Sequence, residues 1–302
     1  MPAETETKIR TVALIANVEA RACEPDVCAA SLQALGVEVE VFGIDEIGAA
    51  VEAGADRVVL AGGDGSIAPV AAAAGDAGVS LALIPCGTAN DFARRLGLPL
   101  EVAAACRLAA EGRSLRALEL GWMEPLPEAQ AAEAGRAARR PFVNVASAGL
   151  PAPAAGRAKP WKPRLGPLAY AAGAVVAGVT ASPVPCTVEC DDRLLFRGEA
   201  WQATVASSGA FGAGSHIEEA DPADGALDVV AVAAGPRPGL VWLAYRLRTG
   251  ALSGHRRAAH ARCRRAAVRL PSGGELNIDG EIVPCSGARF AVQPAAFELV
   301  TG

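Results

Sequence analysis

The residues with the most evident chemistry lie in two glycine turns, each following an apolar run. Ala61-Gly62-Gly63-Asp64-Gly65-Ser66 comes directly after Val58-Val59-Leu60, and Pro85-Cys86-Gly87-Thr88-Ala89-Asn90-Asp91-Phe92 follows Leu81 to Ile84. Glycine lets backbone N–H groups come close to phosphate oxygens, and the N-terminus of a following helix favours the negative charge. Two strand-to-glycine turns in one α/β domain therefore suggest a phosphate site. Asp64 cannot itself attract phosphate, so its carboxylate suits a divalent cation or a hydroxyl to be polarised. That points to phosphoryl transfer.

The remaining candidates are carboxylates, each with a plainer reading beside the chemical one. Asp91 could serve as first-turn helix charge, Asp279-Gly280 as a hairpin turn, and Gly87-Thr88 as a helix cap after a tight turn. Asp224-Gly225, three residues after Asp221, reads equally well as a turn before a strand. A carboxylate of ordinary pKa is a weak base, so any general base among them must work by orientation or by an environment that raises its pKa.

Five landmarks occur in order along the chain: Gly62-Gly63-Asp64-Gly65-Ser66, Ile84-Pro85-Cys86-Gly87-Thr88-Ala89-Asn90-Asp91-Phe92-Ala93-Arg94, Leu165-Gly166-Pro167-Leu168-Ala169-Tyr170, Asp224-Gly225-Ala226-Leu227-Asp228 and Asn277-Ile278-Asp279-Gly280-Glu281. Together they resemble the diacylglycerol kinase catalytic-domain family of bacterial lipid kinases, relatives of the sphingosine kinases. NAD kinases share the first landmark but not the later four.

The resemblance implies ATP and Mg²⁺ as cofactors. It implies nucleotide contacts from Asn17, Gly62, Gly63, Gly65, Ser66, Gly87, Thr88 and Asn90. It places Asp64, Asp91 and Asp279 in a network around catalytic Mg²⁺, with Asp279 as general base on the lipid hydroxyl. Asp224, with the carbonyls of Asp221 and Ala226, matches a second, structural Mg²⁺ site. Three departures stand out. The family's Asn-Pro-x-Ser-Gly segment is Asn17-Val18-Glu19-Ala20-Arg21 here, the threonine usual after the second strand is missing from Val41-Phe42-Gly43-Ile44-Asp45, and Glu119 stands where the family commonly has Asp. The implied function is an ATP-dependent lipid kinase acting on a diacylglycerol-like hydroxyl near Asp279. The alternatives are a catalytically weak lipid- or nucleotide-binding homologue and an NAD kinase-type small-molecule kinase.

The elements that must position these residues alternate between strand and helix in the first part of the chain. Strands are expected at Ile9–Ala16, Val37–Phe42, Arg57–Leu60 and Leu81–Ile84, with helices at Pro25–Leu35, Ile47–Ala53, Ile67–Ala74, Asn90–Leu96 and Glu101–Glu111. Leu115–Leu120 is expected as a strand leaving the domain. That order argues for a mainly parallel sheet with ligands at the carboxyl ends of its strands, where both glycine turns fall. Beyond Pro125–Pro141, which reads as a loop, short β-rich runs predict an all-β-rich sandwich. They are Phe142–Ala148, Thr187–Cys190, Leu194–Arg197, Trp201–Ser207, Leu227–Ala233, Ala267–Leu270 and Glu275–Ile278, with helices near Leu168–Val179 and Pro238–Leu247. The expected domains are an α/β nucleotide-binding unit over 1–120, completed by 289–302, and a β-rich lipid-substrate unit over 121–288.

A chain of 302 residues, 51% hydrophobic and 20% charged, can bury two modest cores. The polar start Met-Pro-Ala-Glu-Thr-Glu-Thr-Lys shows no signal peptide, so the expected location is cytoplasmic and peripheral on the membrane. The apolar stretch Leu165–Val184 holds Pro167 and Pro183 and reads as a buried or interfacial helix rather than a span. No cysteines form a Cys-x-x-Cys pair, and the histidines form no zinc-like cluster with them, so buried free thiols are expected.

The net charge of −5 divides unevenly, −11 over residues 1–133 and +6 over 134–302. No acidic residue occurs from Ala134 to Val188 or from Val229 to Gly274, stretches that hold Arg136, Arg139, Arg140, Arg157, Lys159, Lys162, Arg164, Arg237, Arg246, Arg248, Arg256, Arg257, Arg262, Arg264, Arg265 and Arg269. A solvated face is one reading, and a surface for anionic lipid is the other. With aromatic residues at 4%, nucleic acid is not an expected partner. The partners are a lipid at an anionic membrane surface and, left open, a second copy of the chain in a homodimer.

Overall fold

In a computed structural model, residues 9–17, 24–126, 139–149, 182–212 and 215–302 are described. Four parts of the expectations above lie outside them: the altered segment Val18–Arg21, most of the loop before Pro141, the landmark Leu165–Tyr170 with its helix, and the basic residues Arg136, Arg157, Lys159, Lys162 and Arg164. The chain divides into two units, Met1–Leu118 with Ala295–Gly302, and Glu119–Pro294.

The first unit is built on a parallel sheet. Strands β1 (Thr11–Ala16), β2 (Glu38–Gly43), β3 (Arg57–Gly62) and β4 (Leu81–Pro85) run in the order β4-β3-β1-β2. Apart from Thr11, every residue of β1, β3 and β4 is buried, as expected of strands covered on both faces. The helices are α1 (Pro25–Ala34), α2 (Ile47–Glu52), α3 (Asp64–Ala77), α4 (Asp91–Arg95) and α5 (Val102–Glu111). Cys28 and Leu32 of α1 pack with Ala105, Cys106 and Ala109 of α5 in the core on one side. Arg57 is buried at the start of β3, where its guanidinium donates to the carbonyls of Ala109 and Gly112 at the end of α5. Burial lowers its pKa to about 10.

The segment Ala295–Gly302 closes this sheet. It is the last part of strand β17 (Gly287–Thr301), and Leu299 pairs in parallel with Leu81 beside β4. Gly75 of α3 makes room for it, because a Cβ there would lie 1.9 Å from the Ala296 carbonyl oxygen.

The second unit is β-rich and antiparallel. The chain enters it within β5 (Ser114–Pro125), which pairs with β6 (Arg140–Phe142). Strand β9 (Arg193–Ala206) pairs along its first half with β8 (Val184–Cys190) and along its second with β7 (Val145–Gly149) and β12 (Leu227–Ala233). The change comes near Gly198, at φ 148°, which is why one strand reads as two in the sequence. A short ribbon, β10 (Ala210–Gly212) with β11 (Ser215–His216), precedes β12.

Helix α6 (Gly239–Arg248) follows, then β13 (Ala258–Cys263) against β12, β14 (Arg265–Arg269) between β8 and β17, and the hairpin β15 (Glu275–Ile278) and β16 (Glu281–Pro284) against β7. The sequence did not mark β13, whose Ala-Ala-His-Ala-Arg-Cys lacks large β-branched residues. Of the cysteines, 28, 106, 186, 190, 263 and 285 are free and buried. Cys86 departs from the free-thiol expectation and is disulfide-bonded.

Candidate active site

The two glycine turns meet in the first unit. Helix α3 begins at Asp64 rather than Ile67, with Gly63 as its N-cap, so Asp64, Gly65 and Ser66 form its first turn. The N–H of Cys86 donates to the Gly62 carbonyl at 2.8 Å, joining the end of β4 to that of β3. A Cβ on Gly87 would lie 2.7 Å from the Gly63 Cα, so side chains on both would force the loops apart. Gly65 faces open space, with nothing within 4 Å of a Cβ built there. A small pocket lies here, lined among others by Gly62, Gly63, Asp64, Pro85 and Asn90.

Asp64 holds the second loop in place. Its Oδ2 accepts from the N–H of Asp91 at 3.1 Å and its Oδ1 from that of Phe92 at 3.0 Å, so its carboxylate caps α4 from outside the helix. Asn90, the N-cap by position, has a left-handed backbone at φ 50° and turns its side chain back on the loop. Its Oδ1 accepts from the Gly87 N–H at 2.8 Å. Asn17 donates from Nδ2 to Ser66 Oγ at 2.9 Å and from its backbone N–H to the Ala61 carbonyl. Thus Asn17, Gly62, Gly63, Asp64, Ser66, Gly87, Asn90 and Asp91 form one connected group, while Thr88 stands exposed on the second loop.

Asp279 lies in the second unit, in the turn between β15 and β16, at φ 47°. Its Oδ2 accepts from the N–H of Val143 at 2.7 Å, and its Oδ1 from those of Asn144 and Val145 at 3.0 and 2.9 Å. The turn is therefore clamped to the start of β7, and the carboxylate has a fixed orientation.

A second carboxylate group surrounds Glu119. This side chain is buried, with Oε2 accepting from the Gly225 N–H at 2.7 Å and Oε1 from Ser207 Oγ at 3.2 Å. Burial first, and then the charges of Asp224 and Asp221, push its pKa up to about 7 against the two hydrogen bonds. Asp221 Oδ1 accepts from the Ala223 N–H and Asp224 Oδ1 from that of Ala226. The other oxygen of Asp224 is paired with Arg262. Burial raises the pKa of Asp224 despite that arginine.

Next to it, the fully buried Asp228 accepts from His260 Nε2–H at 2.7 Å and faces Arg262 Nε at 3.6 Å. The hydrogen bond to Asp228 raises the His260 pKa. The sequence marked Asp228 only as the end of a landmark and Arg262 only within a basic stretch, and gave neither of them, nor Ser207 and His260, a place in this group. Their only signal lies across strands, where Asp228 pairs with Arg262 and Val230 with His260 in register. Among the described residues, no group of three or more His, Cys, Asp and Glu is arranged to hold a metal ion. No helix among them is long and apolar enough to cross a membrane.

Two stretches of the chain match known protein families. Residues 21–122 match the diacylglycerol kinase catalytic domain, and residues 144–301 the YegS C-terminal NAD kinase beta sandwich-like domain. A probable lipid kinase, YegS-like, from Pseudomonas putida is 32% identical over 261 residues, covering 83% of this chain and 78% of the relative. One of the same name from Pseudomonas fluorescens is 28% identical over 253 residues, 83% and 79% of the two chains. The crystal structure of a diacylglycerol kinase from Bacillus anthracis shares the fold at a TM-score of 0.73 and 19% identity, over 98% of this chain and 99% of that one. With its first part matched to the diacylglycerol kinase catalytic domain, its β-rich part to the YegS C-terminal domain, and a YegS-like relative 32% identical over most of its length, the chain belongs to the YegS-like, diacylglycerol kinase-like family of lipid kinases.

Proposed function

We propose that the protein transfers the γ-phosphoryl group of ATP to the hydroxyl of a diacylglycerol-like lipid at an anionic membrane surface. The observation that carries this reading is the double tie of Asp64 to the N–H groups of Asp91 and Phe92, which holds the two glycine turns together with the Asp64 carboxylate between them. The first turn of α3, open at Gly65, presents N–H groups to phosphate, and Ser66 Oγ is oriented by Asn17. A Mg²⁺ site typically has one or two carboxylates, several waters and substrate phosphates, and Asp64 with Asp91, whose N–H it accepts, would supply the carboxylates here. Bound there, Mg²⁺ would offset charge on the β- and γ-phosphates. Asp224 fits less well, because the Arg262 guanidinium already supplies positive charge at its free-facing oxygen.

In the proposed step, the lipid hydroxyl oxygen bonds to the γ-phosphorus as the bond to the bridging oxygen breaks, and ADP leaves with that oxygen. Asp279, oriented by three N–H groups, takes the hydroxyl proton. The test is ATP turnover over diacylglycerol, phosphatidylglycerol, a sphingoid base and NAD, with Mg²⁺ and with chelator. Magnesium-dependent turnover of diacylglycerol is expected. Turnover of NAD alone would make the protein a small-molecule kinase, and no turnover with any acceptor would make it a non-catalytic homologue.

A further inference from the structure

Helix α6, Gly-Leu-Val-Trp-Leu-Ala-Tyr-Arg-Leu-Arg, is apolar on two faces. Leu240 and Leu243 are buried against Ile217, Val230 and Leu252, with Leu247 packed at the edge of the same cluster. The opposite face leaves Val241 75%, Trp242 50% and Tyr245 55% exposed, and the two rings stack at 5.1 Å between centroids. Single exposed apolar residues are ordinary, but three on adjacent positions of one helix form a patch. Burying the second face would remove it from water, and the described residues of this unit do not cover it.

The chemistry around the patch indicates what would. The Arg246 guanidinium lies over the Trp242 ring at 5.3 Å, and Arg248 follows in the last turn. His255, beyond the helix, accepts at Nδ1 from the Arg257 N–H and is held below its ordinary pKa by burial and then by the charges of Arg246, Arg256 and Arg257. From Val229 to Gly274 there is no carboxylate to offset them. Glu218 and Glu219 approach from an earlier loop, where the Glu218 N–H donates to the Gly250 carbonyl and the Glu219 carboxylate pairs with Ser253 Oγ. Tryptophan and tyrosine prefer the headgroup level of a bilayer, and arginine beside them complements anionic headgroups.

We propose that the Val241, Trp242 and Tyr245 face of α6, with Arg246 and Arg248, is the element that docks this protein on an anionic bilayer. The aromatic pair enters the headgroup layer and the arginines neutralise lipid phosphates. This assignment does not depend on which lipid is phosphorylated, or on whether any is.

The test is co-sedimentation of the full chain with phosphatidylcholine vesicles, with and without phosphatidylglycerol. Wild type is expected to bind only the anionic vesicles, with a blue shift of emission that Trp242→Phe removes. Trp242→Ser combined with Tyr245→Ser should weaken binding roughly tenfold. Arg246→Glu combined with Arg248→Glu should weaken it by about fivefold or more for each arginine. Leu194→Ser, which alters an exposed leucine of β9, should leave it unchanged. Circular dichroism and thermal melting of each variant separate lost docking from lost folding. If well-folded α6 variants bind as wild type does, or if their only change is loss of a dimer in sedimentation velocity, the proposal is overturned. Turnover of a detergent-dispersed lipid, measured alongside, reports on the kinase reading separately.

Discussion

Asp64 has two duties that substitutions can separate. Its carboxylate caps α4 through two backbone N–H groups, and in the proposed function it also holds Mg²⁺. Asp64→Asn keeps a carbonyl oxygen for one N–H and loses the charge, so turnover should fall roughly 100-fold or more with little change in melting temperature. Asp64→Ala should lose turnover and also about 1 kcal/mol of stability, because both N–H groups lose their acceptor. Turnover with melting curves on both variants checks this. Equal activity in Asp64→Asn would confine the residue to capping.

Glu119 permits a prediction in pH. Its folded pKa, raised to about 7, lies above its ordinary 4.5, so the folded state holds the proton more tightly than the unfolded one. The stabilisation is complete below pH 4.5 and is lost as pH rises through about 7, a difference of at most about 3 kcal/mol. The protonated acid can donate to Ser207 Oγ while accepting from Gly225, and the amide of Glu119→Gln can do the same. That variant should show a smaller fall in melting temperature between pH 5 and about pH 8 than wild type. Parallel curves would place the titrating group elsewhere.

The glycine turns differ in what their glycines are for. Gly87 is required by the close approach of β3 and β4, since any Cβ would meet the Gly63 backbone. Gly65 has no such neighbour. Gly87→Ala should therefore destabilise the protein by about 1–3 kcal/mol, whereas Gly65→Ala should fold as wild type and weaken only Mg-ATP binding. Calorimetry with and without Mg-ATP distinguishes the two, and loss of stability in Gly65→Ala would show that the loop is structural throughout.

Local pattern explains what could be read in advance. The buried runs of β3 and β4, each ending in a glycine turn, were legible because a strand covered on both faces is continuously apolar. So were Leu227–Ala233 and Glu275–Ile278, which match β12 and β15 residue for residue. The start of α3 was misplaced because Asp64-Gly65-Ser66 reads as loop, although Gly63 caps a helix there. β13 was invisible in a run of small residues. Asp64, Asp91 and Asp279 stood in recognisable short segments, whereas the pairing of Asp228 with His260 and Arg262 depends on the register of β12 against β13, which no local segment carries.

Across the chain, the raised pKa of His260 acts in the same direction as that of Glu119. Protonated His260 is held by Asp228, so this stabilisation too is complete below the ordinary histidine pKa and lost as pH rises through the folded one. Asp56 acts in the opposite sense. The N–H groups of Arg10 and Thr11 lower its pKa, so its contribution disappears in acid. His255, held below its ordinary pKa by burial, acts in the same sense as Asp56, so its contribution too is lost as pH falls.

The tail provides a second test. Phe297, Leu299 and Val300 are buried, and Leu299 lies beside Leu81. Removing residues 295–302 should expose the edge of β4 and the side of α3 at Gly75. Proteolysis within 9–118 should then outpace that within 182–294, and equal resistance in both would show the tail to be dispensable.

That closing strand also bears on how the protein is made. Domains generally fold in order of synthesis, the N-terminal one first. Here the sheet that carries the glycine turns lacks a strand until Ala295–Gly302 has been translated, after the whole of Glu119–Pro294. The unit begun first on the ribosome is thus the last to be finished. Until then its β4 edge is an open template for strand pairing, and a nascent chain has reason to meet a chaperone there.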